Sequence, residues 1–336
     1  MAITPERNAA GEAIDYAEML HALADASVER GFSPYHDIDW DAPEFQVTPD
    51  DRRWVLPETD LIGRHPWYRS LPVGVQIEIG RHRQAGMAKV GLQFEQLLMS
   101  GVMLYLLNLP NGSAEFRYAT HEVIEECNHT LMFQQAVNRS GADVVGFGRL
   151  FRSVAPLIPL IARISPTFFF MCILAGEEPI DHIQKAFLRG HPGDYHPILK
   201  DVMRIHVAEE ARHISFAHEF IRRHVPESGF LARGALSVLL PVAMRVACEL
   251  IVPPSREFWS RFAVPDHVRR ELFWASAGSR RERRGYFGDV RALAHQVGLM
   301  NPVARGVWKL AGIDGPPTRY RGEPVREPTP RARPAD

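Results

Sequence analysis

The sequence predicts an all-α protein, a four-helix bundle preceded by an N-terminal extension and followed by additional C-terminal helices. Four long segments in succession carry apolar residues at helical spacing between turn signals, and no stretch alternates with the period of two that a strand requires. Composition permits one large core, since 336 residues with 46% hydrophobic side chains can bury most of an apolar face on every helix.

Residues 1–80 are polar and contain prolines, yet Trp40, Trp54, Trp67 and Tyr68 would gain by lying against a core, so this stretch reads as an extension packed on the bundle. The periodicity predicts a first helix over 82–108, where Ala88, Leu92, Leu98, Met99, Val102 and Leu106 share a face and LPNG ends it. A second is expected over 113–138 with Ser113 as N-cap, and a third over 155–189, interrupted by prolines. GHPGDYHP turns the chain into a fourth over 198–224, with Pro226 as its stop. Further helices are expected over 230–251, 265–277 and 286–297. The proline- and arginine-rich tail from 315 to 336 is expected to be disordered, leaving 81–314 as the main domain. No internal repeat is apparent.

Thirty-nine basic side chains against forty acidic ones give no overall field for nucleic acid, so a small molecule is the expected partner. Cys127, Cys172 and Cys248 are odd in number and lack CxxC spacing, which points to a reducing compartment and the cytoplasm. The first residues have neither the basic nor the apolar run of a signal peptide. A membrane span over 154–176 is weighed and set aside for a buried core helix: Arg163 and Pro156, Pro159 and Pro166 divide it, and Glu177 and Glu178 follow at once. Arg245 and Glu249 divide 235–254 in the same way. Pairing with a second copy of the chain is left open.

Chemistry concentrates in the four central segments. In HVAEEARH, His206, Glu210 and His213 are spaced four and then three apart, which at about 100° per residue places them within about 60° on one face. In EECNH, Glu126 and His129 have the same Glu-x-x-His spacing. Two such motifs on different helices, joined by one glutamate from each of two others, form the ligand set of dimetal carboxylate bundles. Glu95 is the single acid in the first segment and lies among Leu92, Leu98 and Met99, where a charge needs a partner. The third segment offers Glu177 and Glu178; the stripe through Ile173, Ile180 and Phe187 is the more apolar and favours Glu177, with Glu178 as the alternative. Four carboxylates balance two divalent cations, and oxygen with imidazole donors suits iron, manganese or a mixed pair.

In FEQLL around Glu95, EECNH around Glu126, GEEPID around Glu177 and HVAEEARH around His206, the sequence resembles the p-aminobenzoate N-oxygenase family over residues 80 to 225. The resemblance implies a ferritin-like fold and two iron ions that activate O2 to oxidise an aryl amine. It also implies that Glu95, Glu126, His129, Glu177, His206, Glu210 and His213 are ligands, His206 being one histidine more than most such bundles carry. Electrons would come from an external donor or reductase, since GFGRLF at Gly146 is no dinucleotide fingerprint. The alternatives are a hydroxylase or desaturase acting on a carbon chain, or a non-catalytic iron-binding bundle.

Other polar groups carry weaker expectations. Asp181 and Arg212 could orient ligands or form a plain salt bridge, and the run Arg280 to Arg284 could dock an acidic reductase or form a solvated face. Glu122, Glu125, Glu209 and His121 are expected on the helix surface, because their angles point away from the ligand stripe.

Overall fold

A computed structural model describes residues 15–191 and 193–317; the tail after residue 317 lies outside the described residues. Every regular element among them is helical. The long helices are α1 (Tyr16–Glu29), α2 (Val73–Leu106), α3 (Ala114–Ser140), α4 (Pro166–Leu188), α5 (Pro197–Glu227) and α6 (Phe230–Ile251). Shorter ones follow: α7 (Arg256–Arg261), α8 (Asp266–Arg270, running into a π-helical turn Glu271–Ala275), α9 (Ala277–Gly285), α10 (Gly288–Gln296) and α11 (Pro302–Leu310).

α2 packs along α3 and α4 along α5. The links between the members of each pair are far shorter than the helices, so each pair runs antiparallel. α1 lies across α3 and α5, and α6 covers α4. In the extension, Trp54 and Tyr68 are fully buried, and the Tyr68 hydroxyl donates to Gln76 O while accepting from Leu56 N, each at 2.9 Å.

Several boundaries differ from the sequence reading. α2 begins at Val73 and runs through residue 80, where the extension was expected to end. Gly74 and Gly80 hid this start; at Gly80 a Cβ would lie 1.7 Å from Trp54 O, so glycine lets the extension pack directly on the helix backbone. α4 begins at Pro166 rather than near 155. Pro156 and Pro159 remove backbone donors, the chain before Pro166 forms 3-10 and short helical turns, and Leu157 and Ile164 are exposed. Pro226 falls inside the last turn of α5, which ends when Ser228 turns extended. α1, α7, α9 and α11 were not anticipated, and the expected helix over 265–277 divides at the π turn.

The stretch Phe230–Arg261 is, among the described residues, the one long and apolar enough to cross a membrane; 44% of its most apolar window is buried. Leu236, Leu240, Met244 and Cys248 of α6 lie in the core, while Val242 and Val246 are exposed.

Along the bundle axis the interior has three layers. Leu98, Val102, Phe170, Phe216 and Phe220 belong to a large apolar core at one end. Ala88, Leu92, Met132, Phe133, Val202 and Met203 form a smaller one at the other. Between them all four bundle helices carry buried acids and histidines.

Candidate metal centre

That polar layer brings together the residues expected from sequence. Glu95 comes from α2, Glu126 and His129 from α3, Glu177 from α4, and His206, Glu210 and His213 from α5; none is more than 2% exposed. Close approach of the helices permits this: Gly176, just before Glu177, has the Phe94 ring where a Cβ would stand, 2.1 Å away. Two overlapping groups have one donor atom from each member within 4.8 Å of the others: Glu95, His129, His206 and Glu210, and Glu126, His129, Glu210 and His213. Glu177 belongs to neither group but stands beside them, close enough for the carboxylates of Glu210, Glu126 and Glu95 to reinforce burial in raising its own pKa. Glu178 points elsewhere, to His218 at 2.8 Å, so of the two alternatives Glu177 is the one at the cluster.

Each imidazole is held by its outer nitrogen. His129 Nε2 donates to Glu209 Oε2 at 2.8 Å, His213 Nε2 to Glu125 Oε2 at 2.7 Å, and His206 Nδ1 to Gln184 Oε1 at 2.7 Å. These bonds fix the rings and turn the opposite nitrogens inward. Inside, His129 Nδ1 lies 3.2 Å from Glu126 Oε2, His213 Nδ1 3.0 Å from Glu126 Oε1, and His206 Nε2 3.0 Å from Glu95 Oε1.

The pairing is reciprocal. Glu125 precedes the acid of one Glu-x-x-His motif and holds the histidine of the other; Glu209 does the converse. Arg212 joins the two, donating to Glu125 at 2.7 Å and reaching Glu209 at 3.5 Å. The expectation that Glu122, Glu125 and Glu209 lie on the surface is therefore corrected: all three are buried. Glu125 and Glu209, each next to a ligand, sit about 100° round the helix, a direction that in a bundle faces a neighbouring helix and not water, whereas Glu122, four residues before Glu126, lies only about 40° from it and so on the ligand face itself. The visible signal was the doubled glutamate in both EECNH and EEARH. His121 is half-buried. Asp181 forms a pair with Lys185 on its own helix at 2.8 Å, and Arg283 and Arg284 are engaged by Phe273 O and Asp314.

Within the cluster, acids and bases shift one another's affinity for protons. Burial, reinforced by neighbouring carboxylates, raises Glu95 and Glu177 well above the usual carboxylate range. Burial opposes charge on Glu126 and Glu210 as well, but the facing histidines hold both low. Those carboxylates in turn outweigh burial at His129 and His213 and raise them. Burial lowers His206 to about 4, leaving it neutral. Burial also lifts Glu122 to about 8. Two divalent cations would supply, in place of protons, the positive charge that the four carboxylates call for.

The donor set fits metal on a second ground. Glu95 Oε2, Glu126 Oε1, Glu177 Oε1, both oxygens of Glu210 and His213 Nδ1 are buried without a hydrogen-bond partner. So many orphaned donors in one place are costly unless a cation takes them.

The chain was compared with known proteins. An uncharacterized protein of Mycobacterium tuberculosis and one of Mycobacterium bovis are each 54% identical over 313 residues, covering 93% of this chain and 92% of the relative. Across residues 13–298 the sequence matches the family described as p-aminobenzoate N-oxygenase AurF, and with its all-α ferritin-like bundle the chain belongs to that oxygenase family.

Proposed function

We propose that the cluster holds two iron ions and that the protein uses O2 to oxidise a small organic substrate, by N-oxygenation of an aryl amine. A manganese or manganese–iron pair is the alternative filling. Glu95, Glu126, His129, Glu177, His206, Glu210 and His213 would be the ligands. The observation that carries the reading is the third histidine: His206 turns Nε2 to the same buried space as His129 and His213, and Gln184 fixes it there. This matches the family's extra imidazole ligand. Bound iron would supply the activation of oxygen, and an external reductase the electrons.

The chain's own residues prepare that site. Glu125, Glu209 and Gln184 hold a proton on each outer imidazole nitrogen, so that the inner nitrogen offers a lone pair. Phe133 packs against His206, with ring centres 4.9 Å apart, and excludes water from that side. Metal content of the purified protein, followed by parallel assays on aryl amines and fatty acids, tests the proposal. Two ions per chain with oxidised amine are expected; a protein without bound metal, or with metal and no amine product, contradicts it. The second reading, a hydroxylase or desaturase of carbon chains, is favoured by the apolar cavity beside Phe133, and fatty-acid oxidation would select it.

A further inference from the structure

A narrow cavity of about 120 Å³ lies on the bundle axis beside the cluster. Its walls continue the ligand stripes. On α2, Gln84, Met87, Ala88 and Gly91 lead to Glu95; on α4, Phe187, Gln184 and Ile180 lead to Glu177; on α5, Leu199 and Met203 lead to His206. Gln184 and Phe133 line the cavity and also touch His206, so its inner end meets the cluster. The far end is marked by Arg83 and Gln84. Arg83 is 4% exposed and Gln84 6%, both line the cavity, and Arg83 Nε and both amide atoms of Gln84 have no hydrogen-bond partner. Asp60 stands 3.9 Å from Arg83 Nε, beyond hydrogen-bonding distance, and spends Oδ1 on the backbone N–H groups of Ile62 and Gly63. Glu282 is taken by Arg64 at 2.6 Å. A buried guanidinium whose nearest carboxylate stands too far off for a hydrogen bond is costly, and an anionic oxygen would meet its fork of donors.

We propose that this cavity holds an elongated amine whose carboxylate head is bound by Arg83 and Gln84 and whose reacting end lies against Gln184 and His206. The position of the reacting end rests on the reading of the cluster as a metal centre. Arg83 and Glu95 are twelve residues apart on one helix, about 18 Å at a rise of about 1.5 Å per residue. A single aminobenzoate ring is far too short to touch both ends. The apolar wall between them, with Met87, Ala88 and Ile180, suits an alkyl or aryl spacer.

Calorimetric titration with 4-aminobenzoate and with 4-aminophenylalkanoates of increasing chain length, each beside its uncharged primary amide, tests this on metal-loaded and chelator-treated protein. Affinity should rise with length, and the long carboxylates should bind about tenfold or more tighter than their amides. Arg83→Gln should abolish that preference and leave amide binding unchanged, which a merely structural role for Arg83 would not do. Gln84→Leu should reduce the preference several-fold and decides the matter if Arg83→Gln does not fold. Met87→Trp should weaken long ligands more than short ones. Equal affinity for 4-aminobenzoate and the long analogues, or a carboxylate preference that neither Arg83→Gln nor Gln84→Leu changes, overturns the proposal. Arg83-dependent binding of long carboxylates without amine product would sink the N-oxygenase reading and leave this one standing; amine product indifferent to length and to Arg83 would do the reverse.

Discussion

Two buried polar regions lie at opposite ends of one interior channel and are satisfied in opposite ways. At the cluster, each imidazole has a partner behind it, and acids face bases across the centre. At the far end of the cavity, Arg83 and Gln84 are nearly as deeply buried, yet Arg83 Nε and both amide atoms of Gln84 make no hydrogen bond, and Asp60 stands 3.9 Å from Arg83. The first region is preorganised by its own chain for cations. The second keeps its hydrogen-bonding capacity for something that enters. Burial alone does not separate a structural polar group from a functional one; the partners on the side facing away from the open space do.

The largest effect should come from breaking the cluster. Glu210→Ala removes a carboxylate common to both groups of donors and Glu126→Ala removes one from the second group; in each variant at least one of two ions should be lost, read as metal per chain by elemental analysis. If both variants keep two ions at wild-type affinity, the ligand assignment is wrong. Within α4 the comparison sharpens. Glu177→Ala should lose metal, whereas Glu178→Ala, which loses the contact with His218, should lower the melting temperature and keep its ions. The reverse order would mean that Glu177 serves only to hold Glu210.

Next come the groups behind the imidazoles. Glu125→Ala and Glu209→Ala should each weaken metal binding by about 10- to 100-fold without lowering the number of sites, measured by chelator competition. Because the pairing crosses between motifs, Glu125→Ala should disturb the ring of His213 and Glu209→Ala that of His129, which imidazole NMR signals would distinguish. His206→Ala should be gentler on metal content, since six ligands remain. It should alter the optical spectrum of the reduced, iron-loaded protein on exposure to oxygen and lower amine oxidation. An unchanged spectrum with full activity would remove His206 from the ligand set.

The smallest effect belongs to the cavity end, where His196 caps α5, stacks on Trp54 at 4.6 Å and is fully buried. Burial, aided by the charge of Arg53, lowers it to about 4. Between pH 6.5 and 4 the unfolded chain therefore takes up a proton that the folded one refuses, and stability falls as pH falls through that window. His196→Asn keeps a capping side chain but not the titration. In urea titrations, the stability difference should move in favour of the variant by about 2 kcal/mol on going from pH 7 to pH 5. No such movement would mean that water reaches this end of the bundle and that His196 titrates normally.

The ligand stripe was legible because helical spacing is a property of one segment. Glu126 with His129, and His206 with Glu210 and His213, share a face whatever surrounds them, and Glu95 stood out as the single acid on an apolar one. Helix ends were less legible. Gly80 reads as a breaker until Trp54 is seen against it, and the prolines before Pro166 leave open where α4 starts.

By itself, then, the sequence determined the helical class, the order of the four bundle segments and the azimuth of each ligand about its own axis, because these follow from residue spacing and chain chemistry. Only the tertiary structure decided what each outward group meets. Glu209 and His129 are 80 residues apart, Glu125 and His213 88, and the cavity that leaves Arg83 Nε and the Gln84 amide without hydrogen bonds has walls from separate helices and from the extension. An angle about one axis says nothing of where the next axis lies; packing supplies that, and with it the difference between a surface acid and one that holds a histidine in place.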